Sequence, residues 1–91
     1  MTKAQFINGQ WLAGEGHDMA SVDPAKKEQI WQAKSATPAQ VEAAIGSARV
    51  AFVGWAERSF EERLAVAKRF AELLGEHKDE LALTIARETG K

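Results

Sequence analysis

The hydrophobic pattern of this chain changes period once, at Thr37. Before that point, short apolar clusters alternate with turn residues. After it, apolar residues recur every three or four positions. Strand side chains repeat every second residue and helical ones about every 3.6, so the switch divides the chain into a β part, 1–36, and a helical part, 37–91. The expected class is α+β, with two β-hairpins followed by three helical segments.

The junction explains the switch. Thr37-Pro38-Ala39-Gln40 is a capping box with proline at the first helical position. The threonine hydroxyl can accept from the third backbone N–H, and Gln40 can reach back to the cap. Val41, Ala44, Ile45, Ala48, Phe52 and Trp55 then form one stripe, which predicts a helix over 38–55. Ser59-Phe60-Glu61-Glu62 is a second capping box, with two carboxylates where the helix dipole favours negative charge. Phe60, Leu64, Ala67, Phe70, Ala71 and Leu74 are expected to make its buried face. Gly75 should loosen or end this helix, and His77-Lys78-Asp79-Glu80 restarts it. Leu81, Leu83 and Ile85 carry the last short helix to Gly90, which suits the left-handed position just past a helix end.

In the β part, Asn8-Gly9 is the preferred pair for a two-residue type I′ turn, with Phe6 and Ile7 leading in and Trp11 and Leu12 leading out. Residues 13–18 read as a loop. A second strand pair is expected at 20–23 and 28–34, joined by a turn at Pro24-Ala25-Lys26-Lys27.

Composition narrows the chemistry. Net charge is -1, from 12 basic and 13 acidic side chains, which argues against nucleic acid as a partner. There is no cysteine, so disulfides, thiolate catalysis and zinc–thiolate sites are excluded for these residues. No apolar run approaches the roughly 20 residues that span a bilayer, and no membrane partner is expected. Met1-Thr2-Lys3-Ala4-Gln5 opens no apolar signal region, and the expected location is cytoplasmic.

Few residues invite a catalytic reading. His17 lies in a Gly-rich loop and His77 between helices, and neither has a second ligand at metal-binding spacing. Gly14-x-Gly16 lacks the third glycine and the strand-to-helix turn of a dinucleotide fingerprint. Glu61 and Glu62 point in different directions on a helix and already serve the cap. Ser21, Ser35, Ser47 and Ser59 have no neighbouring base in a recognised pattern. Glu88 reads as a solvated side chain beside a helix end.

The motifs in order are more informative. Phe6-Ile7-Asn8-Gly9-Gln10-Trp11 is followed by Val22-Asp23-Pro24-Ala25 with Glu28, then Ala48-Arg49-x-Ala51-Phe52-x-x-Trp55. Glu62-Arg63 and Glu88-Thr89-Gly90-Lys91 complete the series. Together they resemble the N-terminal segment of an aldehyde dehydrogenase, from end to end of the chain. Glu28-x-Ile30-Trp31, the stretch 55–63 and the stretch 85–91 are most similar to the family branch that acts on a succinylated semialdehyde in arginine catabolism.

The resemblance implies an NAD(P)-dependent oxidation of an aldehyde to a carboxylate. In such enzymes a cysteine thiolate attacks the aldehyde, hydride passes to the nicotinamide, and a glutamate activates the water that releases the acid. It places that cysteine, that glutamate, the oxyanion-hole asparagine and the NAD-binding segments beyond the position matching Lys91. No catalytic or cofactor-binding residue is therefore assigned within 1–91, and NAD belongs to the parent enzyme. One site is implied here: backbone carbonyls at Val22 and Glu88, holding a monovalent cation with further ligands from elsewhere. Carbonyl oxygens suit hard cations.

Two expectations concern partners. Gly90 would turn the backbone toward a further element, so the chain is expected to be a truncated piece of a longer NAD-binding domain. Trp11, Trp31 and Trp55 are spread along it, and such side chains need partners on several sides. The remainder of a parent chain is the expected partner. Without it, self-association with helices exchanged between copies is expected. The competing reading is a free-standing helical interaction module that docks partners through its apolar faces.

Overall fold

The computed structural model describes residues 2–91. The order is β1 (Gln5–Ile7), β2 (Gln10–Leu12), β3 (Asp18–Val22), β4 (Gln29–Lys34), α1 (Pro38–Glu57), α2 (Phe60–Glu76) and α3 (Lys78–Thr89). The strands make two separate antiparallel pairs, β1 with β2 and β3 with β4. The α+β reading and its element order hold.

The first hairpin forms as expected. Asn8 and Gly9 sit at φ 52° and 76°, the positive values a type I′ turn requires. Phe6 faces Trp11 across the ladder, with ring centroids 5.1 Å apart and an interplanar angle of 65°. This edge-to-face arrangement suits the aromatic quadrupoles.

The second pair begins two residues earlier than the pattern indicated. Asp18 pairs with Lys34 across the strands, their side chains 3.4 Å apart, and the Ser35 N–H donates to the His17 carbonyl. The loop is thereby shortened to the residues before β3. Asp23 belongs to the turn, and β4 begins at Gln29.

The loop leading into β3 is pinned. Gly14 is buried, and a Cβ there would strike the Lys34 and Ser35 carbonyls and the Gln5 side chain. Only glycine permits so close an approach between two backbones. The Gly16 N–H donates to the Ser35 carbonyl at 2.8 Å. The Gln5 Oε1 beside this contact is buried without a hydrogen-bond partner.

The first capping box is complete: Thr37 Oγ1 accepts from the Gln40 N–H, and Gln40 Oε1 accepts from the Thr37 N–H. The helix runs two residues past the expected end, to Glu57. The second box is only half formed. Ser59 Oγ accepts from the Glu62 N–H, but the hydroxyl itself donates to the Glu62 carboxylate at 3.3 Å. That local bond occupies the carboxylate that would otherwise reach the cap N–H. Gly75 does not break α2, which continues to Glu76; His77 ends one helix and begins the next.

The largest departure is burial. The stripes of α1, α2 and α3 are formed but uncovered: Ile45, Phe60 and Ile85 are 64%, 65% and 63% exposed. Leu64, Phe70 and Leu74, expected to be buried, are exposed as well. The reason is geometric, since no helix pair among the described residues packs face to face; β1 against α1 and β3 against α3 are the substantial helix–strand contacts. The accessible surface is 7481 Å². A folded monomer of 10.0 kDa would expose about 5,200 Å². The radius of gyration is 16.9 Å, against about 12 Å for a compact chain of this length.

Candidate functional site

The second hairpin and the end of α3 converge. Near the end of β3 the ladder skips a residue: Ser21 lies opposite Trp31, Val22 opposite Gln29, and Ile30 between them is unmatched. Such a bulge disrupts the regular pairing and bends the strand.

The chain then turns on Asp23, the one buried polar side chain among the described residues, at 7% exposure. Its Oδ1 accepts from the Ala25 N–H at 2.9 Å and the Lys26 N–H at 3.1 Å. Its backbone carbonyl accepts from the Lys27 N–H, and its own N–H donates to the Glu28 carbonyl. The carboxylate thus replaces backbone partners that a tight turn cannot supply.

The turn is a seat for α3. Gly90 caps that helix at φ 77°, and its N–H donates to the Ala86 carbonyl at 2.9 Å. A Cβ on Gly90 would lie 2.9 Å from Pro24 Cγ and 3.4 Å from the Ala25 nitrogen. Two residues before it, Glu88 is not the freely solvated side chain expected. Its Oε2 accepts from the Ser21 hydroxyl at 2.9 Å, a bond joining residues 67 apart in sequence. Between the two elements lies an open cleft of about 620 Å³, lined by Ser21, Ile30 and Trp31 on one side and Thr84, Arg87 and Glu88 on the other.

Val22 and Glu88 are thus brought onto neighbouring elements, each beside the Ser21–Glu88 link. Glu88 also lies in the last turn of its helix, where carbonyls lack helical donors. Among the described residues no three His, Cys, Asp or Glu side chains are grouped as a metal site. A backbone carbonyl, such as Val22 and Glu88 each carry, is an oxygen donor of the kind that suits a hard cation better than a transition metal.

The other singled-out residues stay apart from this junction. His17 Nδ1 lies 3.2 Å from Ser35 Oγ, and His77 Nδ1 lies 3.2 Å from Glu80 Oε2. Glu62 is engaged with Ser59. Gly14 and Gly16 are packed against the exit of β4, which leaves no open glycine cradle for a pyrophosphate. Ser21 is the residue that motif reasoning missed, because its partner lies on a distant helix. The Asp23-Pro24 pair did carry a signal for the turn, since Asx-Pro favours turn initiation.

A model of the aldehyde dehydrogenase family matches residues 11–91. The chain is 52% identical over 86 residues to N-succinylglutamate 5-semialdehyde dehydrogenase of Chromobacterium violaceum. It is 49% and 51% identical to the proteins of that name from Pseudomonas fluorescens and Burkholderia lata. Each match covers 94% of this chain and 18% of the relative. An NAD-dependent benzaldehyde dehydrogenase from Corynebacterium glutamicum superposes with a TM-score of 0.87 at 34% identity, over 91% of this chain and 18% of that one. The chain thus spans about a fifth of the length of the curated relatives it matches. With a family model matched over most of its residues and relatives near half identical across them, the chain belongs to the aldehyde dehydrogenase family.

Proposed function

We propose that residues 1–91 are the first segment of the NAD-binding domain of an enzyme that oxidises N-succinylglutamate 5-semialdehyde to N-succinylglutamate in the cytoplasm. The observation that carries this is the identity of about half with three relatives bearing that name. Within the segment, 1–36 supplies the hairpins and 37–91 the helices. NAD would act as hydride acceptor in the whole enzyme. The attacking thiolate must come from outside these residues, which contain no cysteine.

The segment's own contribution is scaffolding. Its uncovered helix faces fit burial against the rest of the enzyme, as expected for amphipathic helices flanking a sheet. The β3–α3 junction adds a cation site, with the backbone carbonyls of Val22 and Glu88 as two of its ligands. A bound monovalent cation would supply a positive charge bridging the strand end and the helix end. The bulge at Val22 and the helix-terminal position of Glu88 support this assignment.

A free-standing interaction module is not favoured, because similarity to dehydrogenases covers 94% of the chain. The isolated segment should instead cover its excess apolar surface by pairing with a second copy.

The test is NADH formation with N-succinylglutamate 5-semialdehyde, using a chain of the relatives' length that carries these residues, beside the 91-residue chain alone. Turnover by the long chain and none by the short one is expected. Turnover by the short chain overturns the scaffolding role, and preference of the long chain for benzaldehyde overturns the substrate.

A further inference from the structure

We infer that the 91-residue chain pairs with a second copy through α2 and α3 joined into one continuous helix, straightened at His77 and packed antiparallel against its counterpart. This rests on the reading that the isolated segment covers its apolar surface with another copy.

The break between α2 and α3 is a single residue. His77 sits at φ -103° and ψ 16°, within about 40° and 60° of helical values. Helical hydrogen bonds already bridge it: its N–H donates to the Leu73 carbonyl, and its carbonyl accepts from the Leu81 N–H, each at 3.0 Å. No side-chain cap at the start of α3 would be lost on straightening. The 17 residues of α2, His77 and the 12 of α3 would then form one helix about 45 Å long.

The sequence is phased for that joined helix. Phe60, Ala67, Leu74 and Leu81 recur every seven residues, as do Leu64, Ala71, Lys78 and Ile85. The alternating steps of four and three pass through His77 without a slip, which is the spacing of a coiled-coil seam. Lys78 is its one polar member, and such a residue fixes register at some cost in stability. In an antiparallel pair Phe60 meets the partner's Ile85, Leu64 the partner's Leu81, Ala67 the partner's Lys78 and Ala71 the partner's Leu74. Large side chains face small ones in the two inner layers, and the lysine stem lies over alanine with its head in water. A parallel pair would set Lys78 against the partner's Lys78. Antiparallel helices also bring opposite dipole ends together in a two-fold, self-complementary interface.

The seam is available, since Phe60, Leu64, Leu74, Leu81 and Ile85 are all exposed. Straightening moves α3 off β3, giving up the Ser21–Glu88 hydrogen bond and the seat of Gly90 on Pro24. Those two attachments are set against burial of a whole helix face in each copy.

The chain has no cysteine, so single-cysteine variants report single contacts. Leu64→Cys and Leu81→Cys, one carrying a mass tag, are mixed and oxidised. A mixed covalent dimer is expected, with little cross-linking of either variant alone. Equilibrium sedimentation of two hinge variants gives a second readout. His77→Gly should dissociate about thirtyfold more readily than His77→Ala, because glycine disfavours the helix interior in both copies. Dimers that give no mixed 64–81 link, or that are equally tight in both hinge variants, overturn the joined helix while pairing stands. A chain that stays monomeric overturns both.

Discussion

Gln40 Nε2 donates to the carbonyl of Ala13 at 3.1 Å, joining the first turn of α1 to the loop behind the first hairpin. The amide oxygen of the same side chain accepts from the N–H groups of Thr37 and Glu15. One side chain thus completes a helix cap and satisfies two backbone groups of a loop some 25 residues away.

Replacing Gln40 with alanine should therefore cost more than an ordinary cap. Loss of the cap and of the loop bonds together should destabilise the segment by about 2 kcal/mol. Hydrogen exchange at the Glu15 and Thr37 amides checks this, and both should accelerate. Unchanged protection at Glu15 would show that the loop is held by its glycines alone.

Gly14→Ala should be more damaging than Gly9→Ala, although Gly9 is the one with positive φ. Gly9 has open space around it, whereas a methyl at Gly14 meets two carbonyls and the Gln5 side chain. A cost of about 3 kcal/mol is expected from overpacking at Gly14, against about 1 kcal/mol for left-handed strain at Gly9. Denaturant midpoints of the two variants give the order directly.

Gly90→Ala combines both penalties in milder form, with a φ of 77° and Pro24 Cγ 2.9 Å from the new methyl. About 1–2 kcal/mol should be lost. Pairing it with Pro24→Ala separates the two, since removing the ring relieves the contact and leaves the strain. A double variant no better than Gly90→Ala would show that the seat on Pro24 contributes nothing.

Gln5→Met should leave stability unchanged or raise it by about 1 kcal/mol. The Gln5 Oε1 is buried with no partner, and removing an unsatisfied acceptor removes its desolvation cost. A clear drop in the denaturant midpoint would mean that the amide is satisfied in solution.

The isolated 91-residue chain should sediment as a dimer or larger at micromolar concentration. About 2,200 Å² of surface in excess of a compact monomer is available on each copy, more than a standard interface buries in total. Phe60→Glu and Ile85→Glu, both on uncovered stripes, should shift the population toward monomer. A monomer at all concentrations would contradict the pairing.

What the sequence makes legible is local. Asn8-Gly9 announced its turn and Thr37 to Gln40 its cap, because the partners lie within four residues and backbone chemistry alone decides them. The stripe through Ile45 and Phe52 was equally plain, but a stripe states which face seeks cover, and burial depends on whether another element stands opposite. Ser59 shows a subtler limit: its motif allowed two hydrogen-bond patterns, and rotamers chose the hydroxyl-to-carboxylate one. The Ser21–Glu88 bond was beyond reach, since neither side chain carries a pattern naming a partner 67 positions away. The resemblance to a family did select those two neighbourhoods, through Val22 and Glu88, without revealing the hydroxyl that links them.

Helices that do not lean on one another have no reason to melt together. The segments of 20, 17 and 12 residues in α1, α2 and α3 gain stability one turn at a time, and each responds to heat by its own length and caps. At dilutions that keep copies apart, heating should give a broad, staggered loss of ellipticity, with a van't Hoff enthalpy well below the calorimetric one. α3, the shortest, should fray first from its His77 end, where no side chain caps it. Cooperativity in this segment is then something conferred from outside, by whatever surface brings the three stripes into one interior.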